Sequence, residues 1–311
     1  MTRTAKVAVC SRSFSKNPVL RAELLALYPH ATFNDEGLQL KGDGLVAFLK
    51  DHEKAIVALE TVDDAVLSRL PDLKVVSKYG VGLDTLDLAA LRARGKRLGW
   101  TGGVNKRSVS ELALSFAIAM LRRVPAANRE VLAGTWRQHV GGNLSGRTVG
   151  VIGCGHVGQD LVLLLKPFGC RILAHDIRSF PDFYAAHGVE AVGLDELLTR
   201  CDVVSLHVPL EEGTRGLLDA RRLALLKPTA VLINVARGGL VDEGALKSML
   251  KDGRLAGAAF DVFASEPPRD AELLGLPNFL ATPHIGGSSE EAVLAMGRAA
   301  IRGLDENEVP A

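Results

Sequence analysis

Between Thr148 and Gly158 the chain reads TVGVIGCGHVG. A β-branched run breaks into G-x-G-x-x-G at Gly153, Gly155 and Gly158, then continues as the helix-like stretch Gln159–Phe168. The first glycine permits a tight turn, the second lets backbone approach a pyrophosphate, and the third lets helix and strand pack closely. The free N–H groups and positive dipole of the helix N-terminus then suit phosphate oxygens. A chain with 32 glycines produces such spacings by chance, so the turn gains weight from the residues after its helix. A second strand-like run, Arg171–Ala174, closes on Asp176, where a carboxylate accepts from both hydroxyls of an adenine ribose and repels a 2′-phosphate. Together these residues predict a dinucleotide site, with NAD favoured over NADP. Arg178, two positions on, would suit a 2′-phosphate only if Asp176 turned away.

The same βα alternation fills the chain. Lys6–Cys10, Ala55–Leu59 and Leu73–Ser77 read as buried strands, with helical spacing over Pro18–Tyr28, Gly44–Asp51 and Asp63–Leu70 between them. A long helix is expected from about Lys106 to Arg123, where Ser108 and Glu111 have the spacing of a capping box, and a second helical piece over Ala126–Ala133. Six more strands follow near Thr148–Ile152, Arg171–Ala174, Val203–His207, Ala230–Asn234, Gly257–Asp261 and Phe279–Thr282. The prediction is α/β, with two doubly wound parallel-sheet domains. The larger is a Rossmann NAD-binding domain over residues 102–287. The smaller is a flavodoxin-like substrate domain, discontinuous over 1–101 and 288–311. A length of 311 residues suits two domains.

Composition excludes more than it specifies. Lys+Arg 37 against Asp+Glu 36 leaves a net charge of +1, so nucleic acid is not an expected partner. The longest uncharged stretch, Leu273–Ser289, contains Pro277 and Pro283 and cannot span a membrane. The start, MTRTAKVAVCSRSF, lacks the apolar core of a signal peptide. Cys10, Cys154, Cys170 and Cys201 form no CxxC pair, which fits reduced thiols in a cytoplasmic protein and no metal site.

Hydride transfer at a 2-hydroxy acid needs a cation for the carboxylate, a titratable group for the hydroxyl proton, and a neighbour that tunes that group. Candidates follow strand ends, where ligands collect in such sheets. Arg237 lies in NVARGGLVDE, Asp261 in GAAFDVF, Glu266 in ASEPP and His284 in ATPHIGGSS. Each also has an ordinary reading as an ion-paired, loop or turn residue. His139, His156, His175 and His207 compete for the acid/base part, so the residues alone leave that choice open.

The ordered series KYGVGLDTLD, NKRSVSELAL, VIGCGHVG, DVVSLHVPL, INVARGGLVD, GAAFDVFASEP and TPHIGG resembles the D-isomer-specific 2-hydroxyacid dehydrogenases over nearly the whole chain. The nearest branch is 3-phosphoglycerate dehydrogenase in a short form without regulatory C-terminal domains. The resemblance implies an NAD-dependent dehydrogenase with Arg237, Glu266 and His284 as catalytic residues. Arg237 would clamp carboxylate and carbonyl oxygen, His284 would be the acid/base, and Glu266 would orient its ring. Formate-oxidising relatives carry glutamine where Glu266 stands, which counts against that chemistry.

The resemblance further implies that Gly153, Gly155, His156, Val157, Gly158, Asp176, Val208, Pro209, Thr214, Val235, Ala236, Asp261, Gly286 and Gly287 line the cofactor, with Asp261 at the nicotinamide carboxamide. Val81 and Gly82 would offer backbone N–H groups to the substrate. It also implies a homodimer through the NAD-binding domain, with 105–142 as the arm. Two departures stand out. Val57 and Ala58 replace an Arg-Ser pair that helps that branch hold the substrate phosphate, with Glu60 close by, which predicts poor use of 3-phosphoglycerate unless Lys78, Lys106 or Arg107 compensates. Trp100, Thr101 and Gly102 replace an Asn-Ala-Pro-like run. An NAD(H)-sensing corepressor-type binding protein on the same fold is the alternative.

Overall fold

Short apolar strands that each run into a helix pair in parallel, because the crossover returns the next strand in the same direction. In the computed structural model, which describes residues 3–310, two such sheets form. The first contains β1 (Val7–Val9), β2 (Thr32–Phe33), β3 (Lys54–Val57), β4 (Val75–Lys78) and β5 (Arg97–Gly99), in the order β2-β1-β3-β4-β5. The second contains β6 (Thr148–Ile152), β7 (Arg171–His175), β8 (Val189–Ala191), β9 (Val203–Leu206), β10 (Val231–Asn234), β11 (Gly257–Phe260) and β12 (Phe279–Ala281). Its order is β12-β11-β10-β9-β6-β7-β8. The fold class is thus α/β with two doubly wound parallel sheets. The chain divides into one compact unit of Met1–Asn105 with Ser288–Ala311 and another of Lys106–Gly287.

Period-two alternation sends each strand's apolar side chains to both faces, as buried parallel strands require. In β10, Val231 and Ile233 join the core that contains Phe116 and Leu161, while Leu232 joins the one that contains Leu197 and Phe260. In β1, Ala8 packs with Val57 and Leu91, whereas Val7 and Val9 pack with Phe14 and Ile56. The helix Lys106–Leu121 buries Val109, Ala113, Phe116, Ala117 and Met120, one face of a 3.6-residue period.

Three strands escape a periodicity reading. β2 has two residues, β5 (Arg97-Leu98-Gly99) buries one large side chain, and β8 is the edge strand Val189-Glu190-Ala191. The larger sheet therefore has seven strands, one more than the six expected. Ser108 is no helix cap either. The helix already begins at Lys106, and the Ser108 hydroxyl donates instead to the Gly286 carbonyl at 2.6 Å. Among the described residues no helix is long and apolar enough to cross a membrane, and no cluster of His, Cys, Asp and Glu could hold a metal ion.

Candidate active site

Backbone crowding dictates the glycine turn after β6. Gly153 has φ +91°, and a Cβ there would lie 2.8 Å from the His207 carbonyl carbon. A Cβ at Gly158 would lie 2.1 Å from the Gly153 carbonyl oxygen, so the helix His156–Leu165 presses directly on the turn. Gly155 differs: its Cβ would meet only the Arg178 guanidinium, at 3.6 Å. That leaves an approach to the backbone just where the helix opens, and Gly155 has no side chain with which to cap it.

Asp176, just past β7, accepts from Cys154 N–H at 2.7 Å and from Arg178 N–H at 2.8 Å. Both carboxylate oxygens are thereby pinned at the turn, with Asp176 not turned away, and its free lone pairs remain for ribose hydroxyls. Ile177 beside it is 96% exposed. Sequence reading passed over this residue, because an exposed apolar side chain is invisible without the fold. The turn, the uncapped helix and the pinned carboxylate fit a dinucleotide.

Three loops of the same unit carry the candidate reacting groups. After β10, Asn234 folds the chain back: its side-chain oxygen accepts from Ala236 N–H at 3.1 Å and its amide donates to the Arg237 carbonyl at 2.8 Å. Gly238 then packs against the 263–264 backbone so closely that a Cβ would meet the Phe263 oxygen at 1.8 Å. The Arg237 loop and the loop leading to Glu266 are joined backbone to backbone. Arg237 is half-buried and donates to the Ala236 carbonyl at 2.7 Å.

His284 has φ +55°, left-handed backbone that a non-glycine residue keeps only when its surroundings over-determine it. The surroundings are supplied by Asp261, which is 1% exposed. Its backbone carbonyl accepts from His284 N–H at 2.9 Å. Its carboxylate accepts from the Thr282 hydroxyl at 2.5 Å, Ile285 N–H at 2.8 Å and Gly286 N–H at 2.7 Å. The turn holds the imidazole with Nδ1 2.9 Å from Glu266 Oε2, and Glu266 Oε1 accepts from Phe263 N–H at 3.2 Å. Both side chains stay partly exposed, at 47% and 41%. A cavity of about 410 Å³ opens beside them, lined by Phe263, Pro267, Pro283 and the pair itself.

The other histidines are occupied differently. His139 pairs with Glu130 at 2.8 Å and His175 Nδ1 lies 3.2 Å from the Val192 carbonyl. His156 is exposed at the helix start. His207 Nε2 lies 2.9 Å from the Ser205 hydroxyl, while burial drives its pKa down to about 3, keeping it neutral. Around the turn, Val208 packs on Gly153, the Thr214 hydroxyl donates to the Pro209 carbonyl at 2.6 Å, and Val235 is buried beside half-buried Ala236. Val157 and Gly287 are half-buried and Gly286 is buried.

In the smaller unit, Val81 and Gly82 lie half-buried in the loop after β4. The Trp100 indole N–H donates to the Val81 carbonyl at 3.0 Å. Lys78 Nζ donates to the Ala58 carbonyl and to the Thr85 hydroxyl, the latter at 2.9 Å.

The family model described as "D-isomer specific 2-hydroxyacid dehydrogenase, NAD binding domain" matches residues 114–286, the stretch that holds both the glycine turn and the His284 turn. The chain belongs to the D-isomer specific 2-hydroxyacid dehydrogenase family. The glycine turn is therefore that of an NAD-binding domain. D-3-phosphoglycerate dehydrogenase of Mycobacterium tuberculosis is 39% identical over 253 residues, covering 80% of this chain and 48% of its own. The protein of that name from Methanocaldococcus jannaschii is 38% identical over 262 residues, covering 83% and 50%. The chain spans about half the length of the curated relatives it matches. Among solved structures, D-mandelate dehydrogenase of Rhodotorula graminis superposes with a TM-score of 0.86 at 26% identity, covering 97% of this chain and 93% of that one.

Proposed function

We propose that this chain is an NAD-dependent oxidoreductase that interconverts a D-2-hydroxy acid and its 2-oxo acid. The observation that carries the reading is the His284–Glu266 pair, held by a buried carboxylate in a left-handed turn within an NAD-binding domain. Bound NAD(H) supplies or accepts the hydride. Gly153, Gly155 and Gly158 with the helix N-terminus would hold its pyrophosphate, and Asp176 its adenine ribose, with Ile177 offering an apolar face nearby.

The chain's own residues manage the proton and the carboxylate. Glu266 occupies His284 Nδ1, which leaves Nε2 to exchange a proton with substrate oxygen. The carboxylate fixes the ring, so that the same Nε2 faces substrate oxygen in both directions of the reaction. In the reducing direction the Nε2 proton passes to the carbonyl oxygen of the 2-oxo acid. Arg237 presents a planar fork suited to carboxylate and carbonyl oxygens, and the Val81 and Gly82 N–H groups serve as further carboxylate donors. In this reading Lys106–Gly287 is the cofactor domain and the discontinuous unit the substrate domain.

His284→Ala tests the assignment. Turnover of 2-oxo acids should be lost while NADH still binds, read by its fluorescence. Near-normal turnover would remove His284 from the chemistry. The corepressor alternative is not favoured, since the relatives reported above are named as dehydrogenases.

A homodimer through the cofactor domain is part of the proposal. Towards its end the arm 105–142 exposes Val131 at 51%, Leu132 at 79%, Trp136 at 85% and Val140 at 89%, an apolar series that water disfavours and a second copy would cover. Four unpaired cysteines, three of them buried, fit a reducing cytoplasmic setting.

A further inference from the structure

The smaller unit's sheet divides between β1 and β3. In the order β2-β1-β3-β4-β5 the chain leaves β1 for β2 on one side and crosses to β3 on the other. Ligands of open parallel sheets collect at the carboxyl ends of the strands flanking such a switch. β3 ends there in Val57-Ala58-Leu59, none of which carries a charge. The backbone donor at this end is already taken, since Ala58 N–H donates to Glu60 Oε2 at 2.6 Å. An anion arriving at the end of β3 therefore meets a fixed carboxylate in place of a free N–H.

Two of the candidate compensating cations, Lys78 and Arg107, are committed to other partners. Lys78, 5% exposed at the end of β4, bridges the Ala58 carbonyl and the Thr85 hydroxyl. Arg107, within the larger unit, holds Asp160 through two bonds of 2.8 and 3.0 Å. Arg12, which opens the helix just past β1, is exposed. What the strand ends do present is apolar: Leu59 is 80% exposed and Trp100, after β5, 43% exposed.

We propose that Glu60 is a specificity-determining residue that turns away 2-oxo acids with an anionic tail and leaves the site to those with a neutral, apolar one. This rests on the dehydrogenase reading above and narrows its substrate class. Like charges brought together at a half-desolvated edge repel strongly enough to dominate selection between otherwise similar acids.

The test compares 2-ketoisocaproate with 3-phosphohydroxypyruvate in the wild type, Glu60→Gln and Arg12→Ala. Wild type should favour the apolar acid in kcat/KM. Glu60→Gln, which keeps an acceptor for Ala58 N–H, should raise kcat/KM for the phosphorylated acid by about 10- to 100-fold, the scale of one close like-charge contact, mainly through KM. Calorimetric binding of 3-phosphoglycerate to the NADH-loaded protein reads the same discrimination without turnover and should tighten in Glu60→Gln. The proposal is overturned if wild type prefers the phosphorylated acid, if Glu60→Gln leaves both the ratio and the binding unchanged, or if Arg12→Ala abolishes efficient use of that acid. Absence of turnover with every acid would strike the dehydrogenase reading instead, with the binding comparison still deciding the role of Glu60.

Discussion

Replacing Asp261 by asparagine asks whether charge holds the turn that carries His284. The carboxylate receives three donors, from Thr282 and Ile285 on one oxygen and Gly286 on the other, at 2.5 to 2.8 Å. Asparagine has the same outline but a single acceptor oxygen. With that oxygen kept toward Thr282 and Ile285, the new NH2 faces the Gly286 N–H, donor against donor. Losing a charge-assisted bond costs about 1.5–3 kcal/mol and stranding a buried N–H about 1–3 kcal/mol more, so roughly 3–5 kcal/mol falls on this turn. The left-handed backbone at His284, φ +55°, gives the turn a ready way to relax, and relaxation would remove the imidazole from Glu266. Most of the effect should therefore appear in turnover. We expect kcat for a 2-oxo acid to fall about 100-fold or more, since each 1.36 kcal/mol is tenfold, while Tm falls by several degrees. Steady-state NADH oxidation and a thermal melt measure the two. A variant with wild-type kcat and wild-type Tm would refute the claim that Asp261 braces the turn.

Other consequences rest on single contacts. Gly158→Ala puts a Cβ 2.1 Å from the Gly153 carbonyl oxygen; NADH titration should show binding lost, and unchanged affinity would contradict the packing account. Burial holds the His207 pKa at about 3, below its usual 6.5, so the unfolded chain binds the extra proton between those values. Stability from this group is intact above about pH 6.5 and declines as pH falls toward 3, by at most about 1.4 kcal/mol per pH unit. Denaturant melts of His207→Gln should show a shallower acid decline, and an identical slope would exclude the group. Leu132→Asp with Trp136→Asp should convert a dimer into a monomer in sedimentation velocity, and an unchanged coefficient would remove the arm from the interface.

Legibility followed physical necessity. Gly153 and Gly158 were readable because the backbone there admits no side chain, and the place of Asp176 beside that turn because it follows the adjacent parallel strand. The two-sheet architecture was readable from strands buried on both faces. The spans of β2, β5 and β8 were not, because two or three residues paired at or near a sheet edge carry no period. Ser108 looked like a cap because spacing cannot show that the helix starts two residues earlier.

The candidate site divides in the same way. Glu266 and His284 lie 18 residues apart on separate loops, and only the resemblance named them as a pair before the fold placed them 2.9 Å from one another. The brace on their turn was less visible still. Asp261 reads as one more strand-end carboxylate, and its three bonds to residues 282–286 exist only once β11 and β12 lie side by side. Trp100, noted as a departure from the family run, acquires a contact in its hydrogen bond to the Val81 carbonyl. The occupation of the Ala58 N–H by Glu60 likewise depends on a loop geometry that no residue pattern encodes.

The most direct test of the central claim is the reduction of NAD by the two enantiomers of an apolar 2-hydroxy acid, followed as the rise in NADH absorbance with the wild-type chain. The account predicts steady NADH formation with the D acid and none above background with the L acid. No NADH from any D acid across a panel, or equal rates with both enantiomers, would contradict it.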